Sequence, residues 1–186
     1  NPYKVDLKNT QKIGVIGAGF MGEGITEVSI NSGMDVILKD LDDKMLHQAR
    51  KNIWKNLIRK VKRKQMSKVL AKTTAQRAIG QLDYKGFDNI DVVVEAIVEN
   101  MSVKKKLIKE LESICNENFI FASNTSSLPL TEMSEDAKKP ENIVGMHYFS
   151  PVTKMSLLEI IKTRKTSKQA IATCYEIGKK QGKTCI

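Results

Sequence analysis

A doubly wound α/β fold on a mainly parallel sheet, with a helical arm inserted after the second strand, is predicted by three observations. Short apolar runs alternate with helical stretches along the whole chain, the pattern of parallel strands joined by crossover helices. The run Asp91-Val92-Val93-Val94-Glu95-Ala96 is apolar without alternation, as expected of a strand covered on both faces. Between the second and third such runs lies a long basic stretch with helical periodicity and no strand signal, which predicts the arm. At 186 residues the chain can bury a substantial core, and one domain is expected.

The elements follow in order. Lys12-Ile13-Gly14-Val15-Ile16 is a strand that ends on glycines, and a helix starts near Phe20 and closes at Gly33. Asp35 to Lys39 is the second strand. Asp42 or Asp43 can cap the helix that follows, to about Gln65, and a second helix from Ser67 to Arg77 leads back toward the sheet. After the Val92 strand, Ser102 is expected to cap a helix reaching about Asn116. Phe119 to Ala122, Ile143 to Met146 and Leu157 to Ile161 supply further strands, and a helix from Ser167 to Gln181 is stopped by Gly182. The chain starts at Asn1 and ends on Lys183-Thr184-Cys185-Ile186, which reads as a strand beginning, so an excised piece of something longer is expected.

Composition narrows the classes. Cys115, Cys174 and Cys185 are odd in number and widely spaced, with no C-x-x-C, which points to reduced thiols in a reducing compartment and to no metal site. No apolar stretch approaches the roughly 18 to 20 residues needed to span a bilayer. The net charge of +10 suggests an acidic partner: nucleic acid, an anionic membrane surface or a phosphate-rich small molecule.

Gly17-Ala18-Gly19-Phe20-Met21-Gly22 fits G-x-G-x-x-G between a strand and a helix, the context that motif requires. The first glycine permits a tight turn, the second lets backbone approach a pyrophosphate, and the third allows close helix packing. Phosphates would lie at the helix N-terminus, with Phe20 and Met21 inside the turn. Asp40, ending the second strand, stands where an acid hydrogen-bonds a ribose 2′-OH and repels a 2′-phosphate, so the cofactor expected is NAD, with adjacent Lys39 as the one discordant residue.

Glu159 interrupts the apolar run Leu157-Leu158-Glu159-Ile160-Ile161, and His147 ends another, Ile143-Val144-Gly145-Met146. A carboxylate buried in a strand needs a partner, because desolvating it alone costs several kcal/mol or more. His147 is that partner, and an imidazole polarised by a carboxylate is a general base suited to alcohol oxidation. The turn Asn124-Thr125-Ser126-Ser127 follows a strand and offers hydroxyls for a substrate oxygen.

Gly-Val-Ile-Gly-Ala-Gly-Phe-Met-Gly, Val-Val-Glu-Ala-Ile-Val-Glu-Asn, Ala-Ser-Asn-Thr-Ser-Ser-Leu-Pro and Met-His-Tyr-Phe-Ser-Pro, in this order, resemble the NAD-binding domain of the L-3-hydroxyacyl-CoA dehydrogenase family. The stretches Gly80 to Phe87 and Lys154 to Glu159 most resemble its mitochondrial multifunctional branch, in which a hydratase precedes this domain. The resemblance implies NAD-dependent oxidation of a 3-hydroxyacyl-CoA in fatty acid β-oxidation, with His147 as base, Glu159 its partner and Ser126 touching substrate oxygen and cofactor. It implies that Glu99 and Lys104 line the cofactor site. Ser150 stands where simpler members carry Asn against the nicotinamide side, and retuning rather than loss is expected there. A following all-helical domain, carrying a further catalytic Asn and the dimer contact, is implied outside this chain, as is an oligomer or multienzyme complex. A mitochondrial location is implied, with a peroxisomal one as the alternative. The chain alone is expected to bind NAD and turn over acyl-CoA poorly.

Basic residues crowd the arm from Lys44 to Lys68. A solvated lysine-rich face is one reading. By the resemblance, Arg63 or Lys64 meets the CoA 3′-phospho-ADP; peripheral contact of the full complex with a membrane surface is the other functional reading. Two further alternatives are a basic nucleic-acid-binding module and a 2-hydroxy acid or sugar dehydrogenase. Few aromatics and the absence of an RNP or helix-turn-helix motif argue against nucleic acid. The second offers no reason for the His147 and Glu159 spacing.

Overall fold

The computed structural model describes Val5 and residues 10–186. Its strands are β1 (Lys12–Ile16), β2 (Asp35–Lys39), β3 (Ala78–Gln81), β4 (Val92–Glu95), β5 (Ile120–Ser123), β6 (Ile143–Tyr148), β7 (Leu157–Ile161) and β8 (Thr184–Cys185). Its helices are α1 (Phe20–Asn31), α2 (Asp43–Lys62), α3 (Lys68–Gln76), α4 (Met101–Ile114), the single turn α5 (Leu130–Met133) and α6 (Lys168–Lys180).

All the strands form one sheet in the order β3-β2-β1-β4-β5-β6-β7-β8. β1 to β6 run parallel, β7 is antiparallel to β6, and β8 is parallel to β7. Strand order reverses between β1 and β4. Crossovers from β1 and from β4 therefore leave in opposite directions and open a crevice at the carboxyl ends of those two strands, where ligands bind in such sheets.

The two faces are filled by separate apolar clusters. Ile13, Val15, Val36, Leu38, Val94 and Met146 pack against α1, α2 and α6, while Ile16, Ile37, Val93, Phe121 and Ile143 pack against α4. This two-sided cover explains the unbroken apolar run of β4 and the alternation of its residues between clusters. The arm is anchored by Leu46, Ala49, Ile53 and Leu57, which recur at helical spacing and are all buried. Burying each of the leucines and the isoleucine stabilises the arm by roughly 1.5–3 kcal/mol. Two polar bonds add register, because Asn52 donates to Glu23 and Asn56 donates to Glu27 across the α1–α2 interface.

Local starts and stops follow side-chain chemistry. Asp42, Ser67 and Ser167 accept backbone N–H bonds at the first turns of α2, α3 and α6. For α4 the cap is Asn100, whose Oδ1 accepts from Val103 N–H, and not Ser102, which instead donates to Asn100 Oδ1. Asn100 has the extended backbone a cap needs, at φ −136° and ψ 118°. The arm also ends differently from the sequence expectation: Ala78–Gln81 is a strand following directly on α3. It pairs only with β2, at the sheet edge, and its residues are partly or fully exposed, so it carries little of the apolar signal that marks the central strands.

Candidate active site

The glycine turn joins β1 to α1 at the strand-order reversal. Gly17 has φ +101°, and a Cβ there would lie 2.5 Å from Ala96 O. A Cβ on Gly22 would lie 1.7 Å from Gly17 O, so the third glycine lets α1 rest against the turn. Gly19 differs, since nothing lies within 4 Å of its Cβ position. That open space faces the first turn of α1, whose cap residue Gly19 makes no side-chain hydrogen bond. Free N–H groups and the positive end of a helix dipole thus look into a cradle a phosphate can fill.

Asp40 follows directly on β2 and ties the turn together. Its Oδ2 accepts from Ala18 N–H at 2.6 Å, and its Oδ1 accepts from Leu41 and Asp42 N–H at 2.7 and 3.1 Å. A cavity of about 350 Å³ opens beside it, lined by Gly17, Gly19, Asp40, Leu41, Ala96 and Val98 among others. Its apolar walls and single carboxylate suit an adenosine. Lys39 also lines this cavity, but it is 3% exposed and its Nζ lies 4.4 Å from the centre of the Tyr84 ring, a cation–π contact.

A second cavity, of about 420 Å³, lies on the other side of the turn and gathers Met21, Glu99, Lys104, Ser126, His147 and Ser150. The antiparallel register of β6 and β7 sets His147 opposite Glu159, and His147 Nδ1 lies 2.7 Å from Glu159 Oε2. Phe149 packs against the imidazole at a ring separation of 4.7 Å, the two planes tilted by 54°. With Nδ1 donating to the carboxylate, the neutral ring keeps Nε2 as a bare acceptor. The pairing agrees with the sequence reading, but the burial does not. The Glu159 side chain is 37% exposed, because α6 covers only the Leu158 face of β7 and leaves Leu157, Glu159 and Ile161 partly open.

The acid buried at this end of the sheet is Glu95, 0% exposed at the end of β4. Its Oε1 accepts from Lys104 Nζ at 2.6 Å and from Ile97 N–H at 2.8 Å, and its Oε2 accepts from Ser123 Oγ at 2.7 Å. Lys104, 1% exposed, also reaches Glu99 Oε2 at 3.2 Å. Glu99 Oε1 in turn accepts from Thr125 Oγ1, from Ser126 N–H at 3.2 Å and from Ser127 Oγ at 3.2 Å. Burial alone would raise the Glu99 carboxyl, but the bonds from Thr125, Lys104 and Ser127 and the Lys104 charge outweigh it and hold the group at about 2. Glu95 and Ser123 were not among the residues the sequence singled out, and Thr125, one of the hydroxyls of the turn expected to face a substrate oxygen, bonds Glu99 instead. Glu95 carries the same signal as Glu159, a charge set in an apolar run, and the same argument would have found it.

Ser126 and Ser150 both face the His147 cavity and are exposed. Asn124, from the same turn as Ser126, accepts from Tyr148 N–H at 2.9 Å and so stitches that turn to β6 one residue past His147. The loop after Ser150 is held by Lys183, whose ammonium donates to Val152 O and to Met155 O. Phe20, at the outer edge of the turn, is 66% exposed. Arg63 lines a groove of about 640 Å³ with Arg59, Lys60, Lys154 and Lys180, whereas Lys64 lies outside it in a left-handed backbone conformation at φ +58°.

A doubly wound sheet with strand order 3-2-1-4-5-6, a glycine cradle at its switch point and an acid on the neighbouring strand defines an NAD-binding dehydrogenase domain. The family model described as 3-hydroxyacyl-CoA dehydrogenase, NAD binding domain, matches residues 12–186, and the chain belongs to that family. Fatty acid oxidation complex alpha subunits of Idiomarina loihiensis and Shewanella loihica are each 42% identical to it, over 96% and 98% of this chain. The match covers 25% and 26% of those subunits, so the chain spans about a quarter of the length of these curated relatives. Among solved structures, 3-hydroxybutyryl-CoA dehydrogenase of Escherichia coli K12 superposes with a TM-score of 0.93 at 31% identity, covering 96% of this chain and 38% of that one. The (S)-3-hydroxybutyryl-CoA dehydrogenase of Ralstonia eutropha gives 0.91 at 31% identity, covering 96% and 63%.

These relatives correct one expectation. The mitochondrial or peroxisomal location implied by the resemblance is overturned, because the relatives at 42% identity are subunits of bacterial complexes.

Proposed function

We propose that this chain is the cofactor-binding half of a dehydrogenase that oxidises L-3-hydroxyacyl-CoA to 3-oxoacyl-CoA in fatty acid oxidation. The observation that carries the reading is the His147–Glu159 pair, 2.7 Å apart, opening into the same cavity as Met21 of the glycine turn. Bound NAD supplies the hydride acceptor. Gly17, Gly19, Phe20, Met21 and Gly22 hold its pyrophosphate, Asp40 its adenosine ribose, and Glu99, Lys104, Ser126 and Ser150 its nicotinamide side. His147 Nε2 takes the proton of the substrate hydroxyl. Glu159 fixes the ring through Nδ1 and stabilises the imidazolium as the charge develops. Ser126 hydrogen-bonds the substrate oxygen and keeps it in reach of Nε2.

Arg63 is the residue we assign to the CoA phosphates, in preference to Lys64. Its support is the strongly basic groove that Arg63 shares with Lys154, four residues past Ser150 along the same loop. Members of this family at three to four times this length point to a full protein in which further domains complete the site, within a multienzyme complex such as the named relatives form.

The test measures NADH binding by this chain, and NADH formation from L-3-hydroxyacyl-CoA by this chain and by the longer protein. We expect binding by both and turnover by the longer protein, with His147→Asn abolishing turnover and sparing binding. Turnover by the chain alone at the rate of the longer protein would refute the divided site. Full turnover by His147→Asn would refute the assignment of the base. Arg63→Ala is expected to weaken CoA binding and to leave NADH binding unchanged.

A further inference from the structure

We infer that the cluster Glu95–Lys104–Glu99 sets how strongly this site prefers the oxidised over the reduced dinucleotide. Two carboxylates share one ammonium, with Lys104 Nζ 2.6 Å from Glu95 and 3.2 Å from Glu99, so the cluster carries one negative charge in excess. Glu99 stays ionised throughout the working range, being held at about 2. Glu99 and Lys104 both line the His147 cavity. The ring that accepts hydride must lie within reach of the carbon whose hydroxyl His147 deprotonates, so the nicotinamide occupies that cavity. The inference rests on this reading of the site.

The nicotinamide ring is a cation in NAD and neutral in NADH. A fixed negative charge beside it favours the oxidised form, and burial makes the effect larger than it would be in water. The bracket is rigid. Glu95 is anchored to Ile97 N–H and Ser123 Oγ, and Glu99 to the Thr125–Ser127 turn, so neither carboxylate can swing away as the ring changes charge. Glu95 touches neither cofactor nor substrate. It acts as a positioning residue, holding Lys104 in a core where that lysine neutralises one acid and leaves the other uncompensated.

The experiment measures the dissociation constant of NADH by fluorescence and that of NAD by competition, for the parent chain, Glu99→Gln and the double variant Glu95→Gln/Lys104→Met. Glu99→Gln neutralises the cluster and is expected to move the NAD-to-NADH affinity ratio about tenfold toward NADH. The double variant keeps Glu99 and restores one excess negative charge, so its ratio is expected within about twofold of the parent even if both affinities fall. A merely structural role would weaken both ligands together and leave the ratio alone. An unchanged ratio in Glu99→Gln, with NADH still bound, overturns the proposal, as does a double variant displaced as far as Glu99→Gln. If the double variant does not fold, Glu99→Gln decides alone, since its side chain is 38% exposed and its loss leaves the Glu95–Lys104 pair intact. Failure of the parent chain to bind NADH would instead overturn the cofactor assignment itself, and the proposal with it.

Discussion

Replacing Gly19 by alanine separates what the glycine turn does for the fold from what it does for the ligand. Gly19 has φ −68° and ψ −173°, extended backbone that alanine adopts without strain, and nothing lies within 4 Å of the added methyl. Stability should therefore be unchanged or higher by about 0.4–1 kcal/mol, because alanine restricts the unfolded chain. The methyl does occupy the cradle in front of the α1 N-terminus. Displacing a phosphate from one or two charge-assisted backbone bonds costs on the order of 1.5–3 kcal/mol, or roughly 10- to 150-fold in the dissociation constant. Gly22→Ala is the control with the opposite profile. Its methyl would sit 1.7 Å from Gly17 O, which is backbone and cannot rotate away, so the turn or α1 must shift at a cost of about 1–3 kcal/mol or more. For a chain of this size that is a fall of several degrees in Tm. Thermal melting and NADH fluorescence titration on the two variants give both quantities. NADH binding by Gly19→Ala at parent affinity would refute the placement of the pyrophosphate, and a Gly22→Ala chain of parent stability would refute the packing argument.

Three further outcomes are expected. His147→Asn should lower kcat of the longer protein by about 10²- to 10⁴-fold, the usual share of a general base, with little change in the NADH dissociation constant from equilibrium titration. Lys64→Gly should raise Tm by about 2–4 °C. Lys64 closes α2 in a left-handed conformation, with Gln65 N–H bonded to Lys60 O and Lys64 N–H to Val61 O, and that conformation costs a non-glycine residue roughly 1 kcal/mol. Glu27→Gln should stabilise the chain at neutral pH and not in acid. Burial raises the Glu27 carboxyl above its usual value, only partly offset by the Asn56 bond and the Lys60 charge. The unfolded chain then gives up this proton first, so stability falls as pH rises from about 4.5 through the folded value. Glutamine keeps an acceptor for Asn56 and has no proton to lose. Melting curves of the two proteins should converge below about pH 4 and separate as pH rises; a constant difference across that range would refute the assignment.

Much of the site was legible because its residues break local rules. Gly17, Gly19 and Gly22 sit between a strand and a helix, and Glu159 and His147 each put a polar group into or against an apolar run. Departures of this kind from local rules are expected at functional sites. The parts that were missed carry no anomaly. β3 is a short edge strand with half-exposed residues and so lacks the apolar run of the central strands. Asn100 and Ser102 are both good capping residues, and only backbone geometry chooses between them. Arg63 and Lys64 are adjacent cations, and the choice turns on how α2 ends, since Arg63 is its C-cap and Lys64, the next residue, turns into a left-handed conformation.

The sequence by itself determined the alternation of strands and helices, the glycine turn, the acid that follows it and the pairing of His147 with Glu159. Each of these is written in local spacing, either the two- or 3.6-residue period of an element or a fixed motif. Only the tertiary structure decided the environment of each charge. Glu159 and Glu95 look alike along the chain, yet one ends 37% exposed on a half-covered strand and the other 0% exposed between two packed layers. Burial depends on which helix covers which face of the sheet, and that is settled by crossovers that bring distant segments together. Glu95, Glu99 and Lys104 are close along the chain, but the hydroxyls that hold the two carboxylates, Ser123 on Glu95 and Thr125 on Glu99, come from β5 and the turn after it, which only the packing of β5 beside β4 brings there.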